Sequence, residues 1–469
     1  MSYNYLPLDR KWLHFQQVKN LLDYDQLVSI TFDAHERILK CSSYVDNICC
    51  AVDTKDTTDN IQKAQINVIK SNVVATGEEL PAEIVKLMMM LKIKSLGWGH
   101  SGVQIETVKR LMEMYNNGIL PVVYTSSPER SQGDVAALSQ LALPLVGWGE
   151  VYYQGQKWEA KSVLEKLNWQ PITLQNYEGY ALTTGTEFTS AYGLFALKKA
   201  EHALKLADVI AALTFAVSGT STKSLNPNIH SLRAQKGQAE TASAILKYLN
   251  DGGNVAENKE TNPAGNLPVY TTQIHGAAKD AFEHVLNVFL KEANSVTESP
   301  IVFPDEDLVV EGGCNRYHLT LALDYLALAI SGLANTSLER SQHLINDQKN
   351  LEVFSESCQQ LQTAAATIRA EVVQLSTPTS VDYRSEPGTP GTANNSARRC
   401  IQLLDHVNRL LAIEFLAAVQ ARELSKPGVV SELLNRFVIA FRKHTSPSTK
   451  TDLSIELEKA IEFISSYKL

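Results

Sequence analysis

The residues best placed to do chemistry in this 469-residue chain form one short turn, Ser131-Gln132-Gly133, directly before Asp134. Aspartate is a helix-capping type, because its carboxylate accepts from the unpaired amides of a first turn. Leu138, Leu141, Ala142 and Leu145 follow at helical spacing, which predicts a helix from Asp134 with a kink at Pro144. A turn at that end of a helix faces the positive end of its dipole, where an anion or an electrophile is stabilised. A plain capped surface turn is the alternative, and the turn taken by itself favours it. Other side chains able to hold charge or move protons are scattered: Tyr44, Glu187, Arg316 and His318. The eleven histidines include no H-E-x-x-H and no i, i+4 pair, and the six cysteines no C-x-x-C, so no metal centre is expected.

The elements that must position these groups are mostly helical. Apolar periodicity predicts long helices near 196–216, 272–294, 316–346 and 394–424, and a mostly helical stretch over 61–117. A short apolar stretch is read at Leu27–Phe32, a polar glycine-rich loop at 251–265, and an amphipathic tail helix at Leu453–Ile464. The net charge of −8 argues against a nucleic-acid or acidic-membrane surface. No charged-then-apolar leader stands at the amino terminus, and no uninterrupted apolar run is long enough to span a bilayer. The cysteines read as reduced thiols of a cytoplasmic protein.

Several of these stretches resemble the histidine and phenylalanine ammonia-lyase family. Gln132-Gly133-Asp134-Val135-Ala136-Ala137-Leu138, Leu141-Ala142-Leu143 and Tyr153-Gln154-Gly155 resemble its signature, Ala-Ser-Gly-Asp-Leu-x-Pro-Leu-Ala followed by Tyr-x-Gly. Leu87 through Leu96 resembles Leu-Met-Met-x-Leu-Lys-Ile-x-Ser-Leu, with the methionines read as core filling. Glu178 through Glu187 resembles Glu-Gly-Leu-Ala-Leu-x-Asn-Gly-Thr-Gln, and Glu292 through Pro300 resembles Glu-x-Asn-x-x-Thr-Asp-Asn-Pro. The resemblance runs from about residue 40 to 430. It implies a mostly α long-helix bundle of the ammonia-lyase/fumarase-like type and a homotetramer. The divisions expected are a mixed region at 1–190, a central bundle at 191–430 and a helical tail at 431–469.

In the family, Ala-Ser-Gly cyclises and dehydrates to methylidene-imidazolone, an electrophile. Gln132 stands at the serine and has no β-hydroxyl to lose. Tyr44 and Asn47 match a family glycine-rich loop whose glycines are missing here. Asn72 replaces a substrate-binding histidine, and Thr184 an asparagine that bonds the cofactor carbonyl. Asn266 and Val269 replace a tyrosine and a carboxylate-binding arginine. Asn315 and Arg316 stand where the family has Phe-His, with Arg316 either a relocated charge or an exposed surface arginine. The acid–histidine loop has become Glu386–Gly391.

These departures set the functional expectations. They are a divergent protein without cofactor and without ordinary ammonia-lyase activity, with a small-molecule, polar carboxylate pocket. That pocket would be formed by Asn72, Ser131, Gln132, Gly133, Asp134, Thr184, Asn266, Asn315 and Arg316, with Tyr44 as a residual acid or base. The alternatives are a cofactor-independent lyase or isomerase, and a non-catalytic structural partner of an active paralogue.

Overall fold

Helices dominate the computed structural model, as their periodicity predicts. It describes residues 5–51, 58–73, 76–126, 133–250, 270–311, 315–347, 355–382, 392–424, 430–445 and 453–468. Ser131, Gln132, Asn266, Val269 and the stretches 251–265 and 386–391 lie outside the described residues. The long helices are Glu187–Ser218, Thr271–Ala293, Tyr317–Asp347 and Thr392–Leu424. The first begins well before its predicted start, because Phe188, Thr189 and Tyr192 are weak helix formers that packing holds helical.

Two local expectations need correction. Pro144 kinks no continuing helix: Gly133–Ala142 ends, and the proline sits near the start of a separate 3-10 turn, Leu143–Val146. An amide is dispensable there. Tyr44 through Asn47, expected as a loop, runs within the helix Phe32–Ala51. Without the family's glycines nothing in this stretch resists helix.

The chain divides into two units. The first comprises residues 1–195, 286–322 and 379–397. It carries four small described sheets: a parallel pair Leu6–Leu8 with Val28–Ile30, and antiparallel ones among the rest. Tyr153-Gln154-Gly155 lies at the turn between paired strands Glu150–Tyr153 and Gln156–Glu159. In its core the helix Ala82–Leu96 is buried over most of its surface, and Met88, Met89 and Met90 are fully enclosed, as the sequence implied. Gly193 leaves room for a ring: a Cβ there would lie 1.9 Å from the ring of Phe289.

The second unit comprises residues 196–285, 323–378 and 398–469 and is helical in its described residues. Its apolar core encloses an ionic network on four helices. Arg340 meets Glu414 two-handed, at 2.6 and 2.8 Å. His275 lies between Asp208 and Arg340, at 2.9 and 3.2 Å. Guanidinium only donates, so the imidazole Nε2 must accept from Arg340 and Nδ1 donate to Asp208. Burial, above all, holds the His275 pKa down and the ring neutral.

One described helix, over Tyr317–Asn346, is long and apolar enough on average to cross a membrane, although Asp324, Glu339 and Arg340 interrupt its apolar run. Its apolar window is 61% buried inside the protein, which accounts for the composition.

Substituting Gly193→Ala drives a methyl into the buried Phe289 ring. Equilibrium urea unfolding is expected to show a loss of about 1–3 kcal/mol, with helix content retained.

Candidate active site

The head of the helix Gly133–Ala142 is held through its second residue. Asp134 therefore lies inside the first turn rather than at the cap expected from sequence. Its carboxylate is 1% exposed and turns away from its own helix. The hydroxyl of Thr189 donates to Oδ1 at 2.8 Å, and Arg316 places Nη1 3.2 Å from the same oxygen. Oδ2 has no hydrogen-bond partner among the described residues. Burial raises the Asp134 pKa, against the pull of Arg316 and Thr189.

Arg316 is thus neither on the surface nor fully spent. Its side chain is 13% exposed, and Asp134 is its ion-pair partner among the described residues. Its neighbour Asn315 is exposed and accepts from the Tyr317 amide at 2.8 Å, so it serves the start of the next helix.

A second centre lies in the same unit. Lys92 projects from the apolar helix Ala82–Leu96 and is 1% exposed. Its ammonium donates to the carbonyls of Thr184 at 2.7 Å and Ala181 at 3.2 Å. It lies 2.9 Å from Glu187 Oε1 and 3.6 Å from Glu298 Oε1. Glu298 also accepts from Ser95 at 2.7 Å. Both oxygens of Glu187 lack an aligned hydrogen bond, so its contact with Lys92 is an ion pair by proximity.

Between these centres in sequence, Thr184-Gly185-Thr186 is stitched to the segment after helix Thr271–Ala293. The Ser299 amide donates to Thr184 Oγ1 at 3.0 Å, and the Thr186 hydroxyl donates to Glu292 at 2.7 Å. Burial raises the pKa of Glu292. Glu187, Ser190, Glu292 and Thr297 line a cleft of about 10 Å³, the space of a single water. Glu178 makes the contrast clear. It is buried but accepts from Thr107, from the side chain and amide of Gln104, and from the Gln175 amide.

Other expected site residues stand apart from these contacts. Asn72 donates its amide to Val68 one turn back on its own helix. Tyr44 donates to Asp307 at 2.7 Å, a bond that pushes its pKa to about 12, too high for a proton acceptor near neutrality. The sequence reading missed Lys92, Glu292 and Glu298 as a centre. The available signal was Lys92 and Lys94 within the apolar stretch Leu87–Leu96. Lys94 is likewise buried, and donates to the Asp9 and Lys11 carbonyls.

Comparisons with known proteins bear directly on this geometry. The sequence pattern of aromatic amino acid lyases matches residues 13–443. Histidine ammonia-lyase of Symbiobacterium thermophilum is 33% identical, over 88% of this chain and 84% of that protein. That of Natranaerobius thermophilus is 30% identical over 88% of each chain. The crystal structure of histidine ammonia-lyase from Trypanosoma cruzi superposes with a TM-score of 0.88 at 27% identity, covering 98% of this chain and 93% of that one. The expected mostly α ammonia-lyase fold is therefore found.

The expectation of a divergent protein lacking ordinary ammonia-lyase activity is overturned. So is the reading of a pseudoenzyme without the family's cofactor. Relatives named for that activity match at 30–33% identity over most of the chain, which supports ordinary function. The error was one of weight: single substitutions counted for more than agreement along the whole scaffold.

Substituting Lys92→Met leaves two buried carboxylates without their cation. Unfolding by urea at pH 8 is expected to show a loss of about 3–5 kcal/mol. Part of it should return at pH 6, since Glu187 loses the counter-charge that opposes its raised pKa and the folded state takes up a proton more readily.

Proposed function

The chain belongs to the aromatic amino acid lyase family, and on that premise we propose that it is an ammonia-lyase. It releases ammonia from the α-carbon of an amino acid and a proton from the β-carbon, leaving an α,β-unsaturated acid. The observation that carries this reading is the 33% identity to a histidine ammonia-lyase over 88% of the chain. Histidine is accordingly the substrate to try first. Thiol usage agrees with a cytoplasmic enzyme.

Gln132 carries no hydroxyl to eliminate, so no step of the elimination is drawn through residues 131–133. The chain is proposed as a member with glutamine in place of the cofactor-forming serine.

Arg316 is the proposed seat of the substrate carboxylate. A free α-carboxylate calls for a fixed cation with paired donors, and guanidinium matches it. Asp134 takes one side of Arg316, and its raised pKa weakens its hold on that charge. A homotetramer is proposed as the working form. Tyr317, Leu321, Tyr325 and Leu328 recur along one helix, each at least 39% exposed, a stripe that self-association would cover.

Purified protein given histidine, phenylalanine or tyrosine is expected to release ammonia and form the conjugated acid from histidine, followed by its ultraviolet absorbance. No product from any of the three would remove the proposal. Arg316→Met should raise the KM for histidine by about 10–100-fold, the worth of a charged hydrogen bond, with kcat changed less. Light scattering should give a tetramer for the native chain and smaller species for a Leu321→Glu, Leu328→Glu double variant.

A further inference from the structure

The cluster around Lys92 has one acid too many. Lys92, Glu187 and Glu298 are each no more than 3% exposed, and together they carry one ammonium against two carboxyls. With both acids ionised the cluster holds an uncancelled negative charge away from water, which costs several kcal/mol by about any measure. A single proton removes that cost. The surroundings decide which acid keeps it. Glu298 has the Ser95 hydroxyl on Oε2 at 2.7 Å and Lys92 3.6 Å from Oε1. Glu187 has its own backbone amide and a Lys92 that is shared with two carbonyls and Glu298.

We propose that Glu187 is a proton-holding positioning residue, whose neutral form sets the Thr184-Gly185-Thr186 segment through Lys92. The link is physical at both ends. The carboxyl rests on Gly185, where a Cβ would lie 2.2 Å from Oε2 and where φ is +129°, a glycine conformation. The shared ammonium also fixes the Thr184 carbonyl at 2.7 Å. When Glu187 ionises, it competes for Lys92 against that carbonyl. Burial, opposed by Lys92 and reinforced by Glu298, raises its pKa to about 7. The charged groups facing it are Lys92 from helix Ala82–Leu96 and Glu298 from the segment after Thr271–Ala293. Glu292 lines the same cleft and is itself raised by burial. The family motif has glutamine at this position, a neutral side chain of the same shape, as a protonated Glu187 would be.

The proton is read by infrared spectroscopy, whether or not the lyase reading of the site holds. Raising the pH from 5 to 9 should remove a protonated-carboxyl band from the native protein, centred near pH 7, and the band should be missing in Glu187→Gln. Linkage supplies a second readout. A folded pKa above the unfolded value of about 4.3 means stability is highest at low pH and declines as pH rises through about 7. The native midpoint of thermal unfolding should therefore fall over that window relative to Glu187→Gln. The positioning role is read from kcat: the inflection near pH 7 should vanish in Glu187→Gln while KM stays within a few-fold. Glu298→Gln, which removes the competing acid, should move the infrared titration to lower pH. Identical infrared titrations in native protein and Glu187→Gln would overturn the assignment of the proton. An unchanged kcat profile in Glu187→Gln, with the band lost, would overturn the positioning role.

Discussion

No charge can be buried alone, and the first unit is arranged around the consequences of burying Lys92. From Leu87 to Leu96 its helix is buried on every side, so the ammonium must be met where it stands. The partners come from Glu187 and Glu298, far from it and from each other in sequence. Three segments are thereby required to converge at one point. Apolar residues would pack there at comparable stability, but once the lysine is present, losing a partner is costly. The cluster therefore constrains which arrangement forms more than it adds to net stability.

The same rule separates two kinds of buried acid. Glu178 and Glu414 have donors on both oxygens and lock helices together. Glu187 and Asp134 keep oxygens without hydrogen bonds. Burial raises the pKa of Glu178 too, but an acid with idle lone pairs in low dielectric also stays responsive to what approaches it. Such groups are where a ligand or a proton has something to change. In the second unit His275 is the counterexample: each nitrogen has an assigned task, and a proton added to it would confront Arg340.

Much of the scaffold was legible because long apolar stripes admit few alternatives to packed helices. The four longest helices and the buried methionines follow from periodicity alone. Local features were harder. Pro144 is compatible with a kink or an end, and only the neighbouring packing chooses. Tyr44 reads as part of a loop by resemblance, whereas its own surroundings lack the glycines that would make one. The site was half legible: Asp134 and Arg316 were both singled out, but their pairing joins residues far apart in the chain. Lys92 was visible yet passed over within a scaffold motif. Function was misjudged for a related reason, since a substitution at one position does not report what the rest of a site retains.

The contact between Gly193 and Phe289 has a consequence for motion. The ring occupies the notch left by the missing side chain, so it works as a detent between helices Glu187–Ser218 and Thr271–Ala293. Sliding one past the other by a turn, about 5.4 Å, would lift the ring out of its notch and onto bulkier neighbours. Thr186 and Glu292 sit just beyond this detent on the two sides and hydrogen-bond across at 2.7 Å. Their axial alignment is thus indexed by steric fit, which leaves the proton chemistry nearby free to vary without the helices losing step.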